Sequence, residues 1–315
     1  MTELKFLGTG TSQGVPIIAC PCRVCSSGDS RDKRFRASAL VRHNGKTILI
    51  DAGPDFRMQM IGAGVKHLDA ILLTHFHRDH TGGLDDVRAF NYIDKQAVQI
   101  YCEEHTLGIL KEEYAYAFSE HKYPGSPEFA VHIIDERPFS IEPPQAGELV
   151  WIHDVGYGHM SADGSFTPTD NETRDERNGS VPQTGKEVAD AISEGKIIPI
   201  RGMHDKLPVL GFRIGAIAYI TDMSELPESE FVKLNGLKHL TLNTVGRLKH
   251  HSHFSLGETL ELADKIGAEK TWLTHLSHAF PPHEEFAAEL EAYCREHRLR
   301  SAVQPAFDGL VIKSV

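Results

Sequence analysis

The apolar residues of this chain fall into many short runs, each closed by polar residues or glycine. Runs of this length are typical of strands. The predicted strands are Glu3–Leu7, Ala39–His43, Lys46–Asp51, Ala70–Thr74, Val98–Tyr101, Val131–Ile134, Leu149–His153, Leu210–Ile214, Ala216–Thr221, His239–Leu242 and Thr271–Thr274. Asn44-Gly45 favours a type I′ hairpin between two of these strands, and Gly215 predicts a second hairpin.

Two predicted helices stand out by their periodicity. Leu256–Ile266 carries a stripe of apolar residues at helical spacing, and Ser255 with Glu258 forms a capping box at its start. His283–His297 is a second amphipathic segment. Strands with interleaved helices, in an order that repeats, predict two sheets with helices outside them.

The most polar part of the chain runs from Gly156 to Gly195 and contains Pro168 and Pro182. A linker between domains, a lid over an active site and plain disorder all fit this composition. The sequence leaves these three interpretations open. We expect residues 1–315 to form a single domain that carries this stretch as an insertion.

The composition is that of a globular protein with an acidic balance: 315 residues, 40% of them apolar and 24% charged, with a net charge of −11. This balance disfavours a large polyanionic partner such as tRNA, although local basic patches remain compatible with it. The N-terminal residues lack the apolar core of a signal peptide, and no run approaches the roughly 18 apolar residues of a membrane span. We therefore expect a cytosolic protein without a membrane partner, whose cysteines are reduced or metal-bound.

A cluster of metal-binding residue types follows the predicted strand that ends at Thr74. His75, His77, Asp79 and His80 lie within six positions. Imidazole nitrogens and carboxylate oxygens suit zinc, manganese or iron. Four such groups are more than one metal needs from one segment, so the spacing predicts two metals, and paired metals are typical of hydrolases. A histidine-rich surface loop without metal is the alternative.

Three further candidates lie at the ends of later apolar strands: His204, Asp222 and His275. Each repeats the arrangement at His75, in which an apolar strand is followed by a residue of metal-binding type. Any one of them alone is more often a polar residue satisfied by ordinary hydrogen bonds.

A second, different metal site is predicted by Cys20, Cys22 and Cys25. Three cysteines at C-x-C-x-x-C spacing are typical of one half of a tetrahedral zinc site. The fourth ligand is missing locally, and His278 is a candidate for it. Three free thiols are the alternative, and an iron–sulfur cluster would normally require a fourth cysteine. Cys102 and Cys294 lie in a predicted strand and helix and are expected in the core.

The H-x-H-x-D-H spacing of residues 75–80 resembles the metallo-β-lactamase superfamily of hydrolases, and the three later candidates occur in that superfamily's order. The resemblance implies an α/β fold, the four-layer αβ/βα sandwich, with two divalent metals (zinc or manganese, with iron as a further option). It implies one metal on His75, His77 and His204, a second on Asp79, His80 and His275, and Asp222 bridging the two. Asp51 would orient a ligand histidine.

Three further segments narrow the resemblance to the PhnP family of phosphodiesterases: Gly8–Pro16 ahead of the cysteines, Thr274–Phe280, and Pro305–Gly309. This resemblance implies a structural zinc on Cys20, Cys22, Cys25 and His278, in a zinc loop over residues 20–36. Two departures from the family stand out. The polar stretch has no counterpart there, and the resemblance implies an acidic residue near Asn243, at the end of the strand Leu242-Asn243-Thr244.

The segment Lys249–Ser255 is rich in histidine and precedes the capped helix. His253 is similar in position to an active-site histidine of the PhnP and tRNase Z groups. A histidine near its free pKa suits proton donation to a leaving oxygen, whereas an exposed loop residue is the alternative. We interpret His250 and His251 as such loop residues.

These observations predict a dinuclear-metal phosphodiesterase that acts on small cyclic phosphate or nucleotide diesters. In this hypothesis a hydroxide held between the metals attacks phosphorus, and His253 protonates the departing alkoxide, while Asp79 and Asp222 hold the metals. The alternatives are a tRNase Z-like endonuclease, a lactonase or thioesterase of the same fold, and a non-catalytic binding protein. We expect a small phosphodiester substrate and no large nucleic-acid partner. The sequence leaves a homodimer open.

Overall fold

The computed structural model describes residues 1–119, 123, 125–141, 149–152, 156–161, 163, 165–168 and 180–314. Its strands in chain order are β1 (Thr2–Gly8), β2 (Ser38–His43), β3 (Lys46–Ile50), β4 (Ala70–Leu72), β5 (Val98–Cys102), β6 (Phe129–Ile133), β7 (Leu149–Ile152), β8 (Gly156–Met160), β9 (Phe166–Pro168), β10 (Ile197–His204), β11 (Leu207–Ile214), β12 (Ile217–Tyr219), β13 (His239–Asn243), β14 (Lys270–Thr274), β15 (Ala302–Pro305) and β16 (Val311–Ser314). The α-helices are α1 (Phe56–Ala63), α2 (Arg78–Thr81), α3 (Arg88–Asp94), α4 (Glu104–Glu113), α5 (Gly185–Ser193), α6 (Leu256–Ile266) and α7 (His283–His297).

The larger sheet contains, within the described residues, ten strands in the order β16-β1-β2-β3-β4-β5-β6-β7-β8-β9. β2 and β3 form the predicted hairpin, and the turn residues Asn44 and Gly45 both have positive φ, 49° and 79°, as a type I′ turn requires. β3, β4, β5 and β6 pair in parallel. Their carboxyl ends therefore meet at one edge of the sheet.

The smaller sheet has the order β10-β11-β12-β13-β14-β15. β11 pairs antiparallel with both β10 and β12, so β10 and β12 run in the same direction. β12 to β15 pair in parallel. Residues that follow β10, β12 and β14 are consequently brought to one edge of this sheet.

Three apolar clusters fill the spaces between the layers. Leu4 and Ile50 of the larger sheet pack against Phe212 and Tyr219 of the smaller sheet. A second cluster lies between the larger sheet and α1, α3 and α4, and a third between the smaller sheet and α6 and α7. The result is the four-layer αβ/βα sandwich, which confirms the fold expected from the resemblance.

Local patterns located the predicted elements well. Each predicted strand has a counterpart with ends shifted by a few residues, and α6 and α7 have the predicted bounds. Helix α6 begins with the capping box of Ser255 and Glu258 and ends at Gly267, whose φ is 70°. Helices α1, α3 and α4 were not predicted, because seven to ten residues offer few periodic positions.

The polar stretch Gly156–Gly195 contains more structure than its composition indicates. β8 and β9 extend the larger sheet beyond β7. Helix α5 starts with a capping box of Thr184 and Glu187, and its buried Val188 packs near Ile198. Plain disorder is therefore wrong for these parts, and strands that extend an existing sheet do not fit a linker. Residues 169–179 lie outside the described residues, and the lid stays a prediction.

No helix in the described part of the chain combines the length and apolar character needed to cross a membrane.

Candidate metal centre

The segment after β4 is held in place by Asp51, which follows β3 and is fully buried. The Asp51 carboxylate accepts hydrogen bonds from the Thr74 N–H (2.9 Å), the Thr74 hydroxyl (2.9 Å) and His80 Nδ1 (2.7 Å). A Cβ on Gly53 would lie 2.0 Å from the Asp79 carbonyl oxygen, so only glycine allows the two loops to pack this closely. Asp51 thus orients His80, with its Nε2 free for other contacts, as the resemblance implied.

His75, His77 and His204 form the first group of candidate ligands. Their ring nitrogens lie within 4.8 Å of one another, and His75 Nε2 is 3.0 Å from His77 Nδ1. His204 comes from the other sheet, at the end of β10. Its Nδ1 is 2.6 Å from the Ser252 carbonyl oxygen, so Nδ1–H donates there and Nε2 is left as the ligand atom.

The second group surrounds Asp222. One Asp222 carboxylate oxygen lies 3.1 Å from His80 Nε2 and 3.2 Å from His275 Nδ1. Asp79 lies 3.3 Å from the same His80 nitrogen. Asp222 also belongs to compact sets of ligand atoms with His75 and His80, with His204 and His253, and with Asp79 and His275. The structure therefore brings all seven predicted ligands of the catalytic centre together, with Asp222 between the two groups.

Charge is concentrated around His80. Burial opposes the charged imidazolium, but the carboxylates of Asp222, Asp79 and Asp51 hold the pKa of His80 well above its usual range. Burial would raise the pKa of Asp222 and Asp79, yet the neighbouring His275 and His80 hold the pKa of Asp222, and chiefly His80 that of Asp79, below the usual range. Burial lowers the pKa of His75 well below its usual range. His75 is therefore neutral and the carboxylates are ionised, the forms that bind metals, whereas His80 would have to release a proton to bind one.

The donor atoms fit divalent cations. Tetrahedral zinc with Zn–N bonds of about 2.1 Å places neighbouring ligand atoms about 3.4 Å apart, close to the separations observed. His80 Nε2 and His275 Nδ1 are buried and have carboxylates nearby, yet neither makes a hydrogen bond of acceptable geometry. Buried nitrogen atoms without such bonds are costly unless something else satisfies them. A pair of divalent cations would satisfy both.

Backbone strain is concentrated at the same edge. Asp51, Asp222 and His275 have φ values of 62°, 55° and 57°. Residues other than glycine rarely adopt this left-handed backbone conformation. Those that do are concentrated at functional sites. Each of the three follows a strand end, where the turned backbone aims its side chain into the cluster.

His253 lies beside this cluster, with its ring centroid 4.7 Å from that of His275 and 4.6 Å from that of His204. Its Nδ1 is 3.7 Å from Asp222. Burial, together with the nearby His275, lowers the pKa of His253 to about 3. The expectation of a pKa near the free value is therefore wrong, because the side chain is only 11% exposed. An anionic phosphate beside the ring would raise this pKa again.

The loop that leads to His253 is open to solvent. Leu248 is 85% exposed and the Lys249 side chain 86% exposed. The ring of His250 packs 5.2 Å from that of His253, whereas His251 is exposed. The interpretation as a loop histidine fits His251 better than His250, which is part of the surroundings of the cluster.

The cysteine loop, residues 20–36, contacts His278 in the segment that follows β14. The sulfur atoms of Cys20, Cys22 and Cys25 lie 3.2, 3.5 and 3.6 Å from His278 Nδ1, and the four groups form one compact set. The Cys25 N–H, which points at the sulfur of Cys22, lowers the pKa of Cys22 to about 6. This donor set suits a closed tetrahedral zinc site. The structure brings together all four predicted ligands, and Cys102 and Cys294 pack in the core as expected.

Two contributors were not singled out by the sequence as parts of the site. The Ser252 carbonyl oxygen orients His204, and a backbone carbonyl has no sequence signature. Asn243 had been singled out only as a departure, yet its side chain contacts the backbone next to Asp222. Its place at the carboxyl end of a parallel strand beside β12 was the available cue.

Comparisons with known proteins agree with this geometry. A model of the beta-lactamase superfamily domain matches residues 46–276. A crystal structure of a new diphosphatase from the PhnP family is 31% identical, with a TM-score of 0.74, and the match covers 100% of this chain and 98% of that one.

Two further proteins are similar to this chain over part of their length. The octanoyltransferase of Porphyromonas gingivalis is 36% identical over 89% of this chain, which spans 47% of that protein. A ribonuclease Z of Mycolicibacterium gilvum is 34% identical over 31% of this chain and 29% of its own length. The chain thus spans about half or less of the length of these two proteins. The superfamily model, the fold and the near full-length similarity agree, and the chain belongs to the metallo-β-lactamase superfamily and resembles the PhnP family.

Proposed function

We propose that this protein is a dinuclear-metal phosphodiesterase that acts on small phosphate diesters. The observation that carries the proposal is the convergence of seven candidate ligands in two groups around Asp222, with His253 at their side. When bound, two divalent cations would supply a water of lowered pKa and positive charge for the phosphate oxygens. His75, His77 and His204 would hold one cation, Asp79, His80 and His275 the other, and Asp222 both.

The residues around the metal groups suit a phosphoester. His253 is neutral at pH 7 and can donate a hydrogen bond to a substrate oxygen. As negative charge approaches, its pKa rises and it can hold a proton for the leaving alkoxide. The net charge of −11 favours a small substrate over a long nucleic acid.

The PhnP-family diphosphatase supports phosphorus chemistry, because the similarity runs over both chains. Compact diesters such as cyclic ribose phosphates and nucleotide diesters need no extended basic groove, so we favour them. A diphosphate diester is the neighbouring possibility in the same class.

Acyl hydrolysis is the second candidate, because this chain is similar over 89% of its length to an octanoyltransferase, of which it spans 47%. The same pair of metals can activate water against a thioester carbonyl, since fold and metals do not fix the substrate. Under this alternative an octanoyl thioester would be hydrolysed faster than any phosphodiester.

The test is a substrate panel with protein loaded with zinc or manganese. The panel contains bis-p-nitrophenyl phosphate, cyclic nucleotides, a nucleoside diphosphate sugar, lactones and octanoyl thioesters. We expect turnover of the phosphodiesters. Hydrolysis of thioesters alone would overturn the proposal in favour of the second candidate.

Replacing Asp222 by alanine removes the carboxylate shared by both groups. Asp222→Ala is expected to abolish turnover and to lower the metal content of the histidine–aspartate groups. Asp190→Ala, at an exposed aspartate of α5, is the control. Two metals and full turnover in Asp222→Ala, measured by elemental analysis and initial rates, would contradict the assignment.

A further inference from the structure

The side-chain amide of Asn243, at the end of β13, is fully buried and forms two hydrogen bonds with the backbone of Met223. Asn243 Oδ1 accepts a hydrogen bond from the Met223 N–H at 2.9 Å, and Asn243 Nδ2 donates one to the Met223 carbonyl oxygen at 2.9 Å. Both polar groups of the Met223 backbone are therefore fixed by one side chain. Met223 directly follows Asp222.

Asp222 depends on such a support. Its φ of 55° lies in the left-handed region that residues other than glycine adopt only when surrounding structure holds them there. The Thr221 hydroxyl donates to the Asp222 carboxylate at 2.7 Å, but this bond orients the side chain and not the backbone. The amide of Asn243 holds the backbone on the carboxyl side of Asp222.

The Met223 backbone also connects Asp222 to His253. The Phe254 N–H donates to the Met223 carbonyl oxygen at 2.9 Å, the same oxygen that Asn243 holds. Phe254 directly follows His253 in the chain. A shift of Met223 would therefore move the attachment point of His253 together with Asp222.

A third connection leads from Met223 to His204. The Ser224 N–H donates to the Met203 carbonyl oxygen at 2.8 Å, and Met203 directly precedes His204. The Met223 side chain packs over Gly202, where an added Cβ would lie 2.1 Å from its sulfur. Met223 is thus the shared anchor for the chain segments that carry Asp222, His204 and His253.

We infer that Asn243 is a positioning residue which, through Met223, sets the spacing of Asp222, His204 and His253 for cation binding. An amide is required, because a carboxylate at this position would accept from the Met223 N–H but could not donate to its carbonyl oxygen. The family resemblance implied an acidic residue near this position, whereas Asn243 carries an amide that can both accept and donate a hydrogen bond. The inference rests on the proposed metal-dependent function.

The test measures metal affinity by chelator competition and needs no substrate. Asn243→Asp and Asn243→Ala are compared with Thr259→Val. The buried Thr259 hydroxyl donates to the Asn243 and Ser255 carbonyl oxygens, at 3.0 and 2.9 Å, and neither of these acceptors belongs to Met223. Thr259→Val therefore removes buried hydrogen bonds in the same place while leaving the Met223 backbone held.

We expect Asn243→Asp and Asn243→Ala to bind Zn²⁺ or Co²⁺ at the histidine–aspartate groups about ten- to a hundred-fold more weakly, the usual effect of losing a residue that supports a ligand. Zinc on the cysteines should remain, and Thr259→Val should lower the melting temperature while keeping wild-type metal affinity. Asn243→Asp keeps the shape of the side chain and decides the matter if Asn243→Ala does not fold.

Wild-type metal affinity in a folded Asn243 variant would overturn the inference, as would an equal loss of affinity in Thr259→Val. Failure of both Asn243 variants to fold without metal would assign Asn243 to structure alone, with the same consequence. Absence of metal binding at these groups in the wild-type protein would instead overturn the proposed function.

Discussion

His80 shows how single side chains balance charge in the metal centre. It faces Asp51 on one ring nitrogen and Asp222 and Asp79 on the other. Three carboxylates around one imidazole favour its protonated form, which is why the pKa of His80 is raised. A divalent cation would displace this proton and satisfy the same carboxylates, so cation binding and proton release are coupled at this residue.

His253 differs from the ligand histidines in its expected role. Its removal should matter most when the leaving group is a strong base, because a ribose alkoxide needs a proton as it departs and nitrophenolate does not. We expect His253→Ala to slow hydrolysis of a cyclic nucleotide by roughly a hundred-fold to ten-thousand-fold, and that of a nitrophenyl diester far less. The measurement is turnover on both substrates with metal content verified.

His251→Ala is the control for this change, because His251 is an exposed histidine two residues away. Equal losses on both substrates in His253→Ala would assign His253 to phosphate binding or to the shape of the site.

At the scale of elements, strand ends and loops carry the chemistry while the sheets hold them. β3, β10, β12 and β14 each deliver a site residue at or just after their carboxyl ends. The cysteine loop is a separate element. Isolated bridges pair Val15 with Arg34 and Gly10 with Leu276, so the segment before the cysteines contacts the residues that follow β14. Its cysteines do not belong to the histidine–aspartate groups, so we expect the loop to stabilise the chain around the site.

Cys22→Ser should therefore act on stability and not on catalysis. Loss of a structural zinc removes folding free energy that the small apolar cluster around Val15 and Val24 does not replace. We expect one equivalent of zinc to be lost and the free energy of unfolding to fall by more than about 2 kcal/mol, with turnover of the folded fraction retained. Elemental analysis and thermal melting check this.

Cys294→Ser, at a half-buried cysteine in α7, is the matched control and should keep the zinc. Zinc content equal to wild type in Cys22→Ser would show that the cysteine loop is not a metal site.

For the whole molecule, the ends of the chain are joined next to the site. Asp308 accepts hydrogen bonds from the Thr9 hydroxyl at 2.8 Å and the Phe35 N–H at 2.6 Å. The buried Arg34 donates to Thr9 and to the Ala306 carbonyl oxygen. The Thr9 carbonyl oxygen in turn accepts from Leu276, next to His275. This network links the first loop, the last loop and the edge that carries the site.

Burial raises the pKa of Asp308 to about 7, which gives a pH dependence of stability. The unfolded carboxyl ionises near pH 4, so between pH 4 and 7 the unfolded chain gives up its proton before the folded one does. The Asp308 contribution to stability is thus greatest at low pH and is lost as pH rises toward 7. Asp308→Asn lacks this titration.

The melting temperature of wild type relative to Asp308→Asn should therefore fall from pH 5 to pH 7 and level off above pH 7.5. Comparing the two proteins cancels the titration of the other buried histidines and aspartates. A constant difference over this range would contradict the raised pKa.

The sequence by itself determined the features that depend on neighbouring residues. The bounds of α6 follow from a capping box and helical periodicity, and the Asn44-Gly45 hairpin follows from its turn residues. The ligand types after β4 and the spacing of the cysteines are likewise local. These patterns, with the family resemblance, were sufficient for the four-layer fold and the candidate ligands.

Tertiary structure decided what depends on residues far apart in the chain. His278 meets cysteines that lie 253 to 258 positions away, and only the packing of the two sheets sets their distances. The low pKa of His253 follows from burial beside His275 and His204, which no local pattern encodes. Asn243 was a departure in the sequence and became an anchor for Met223 only when β12 and β13 paired, because its two hydrogen bonds join the end of β13 to the loop that follows β12.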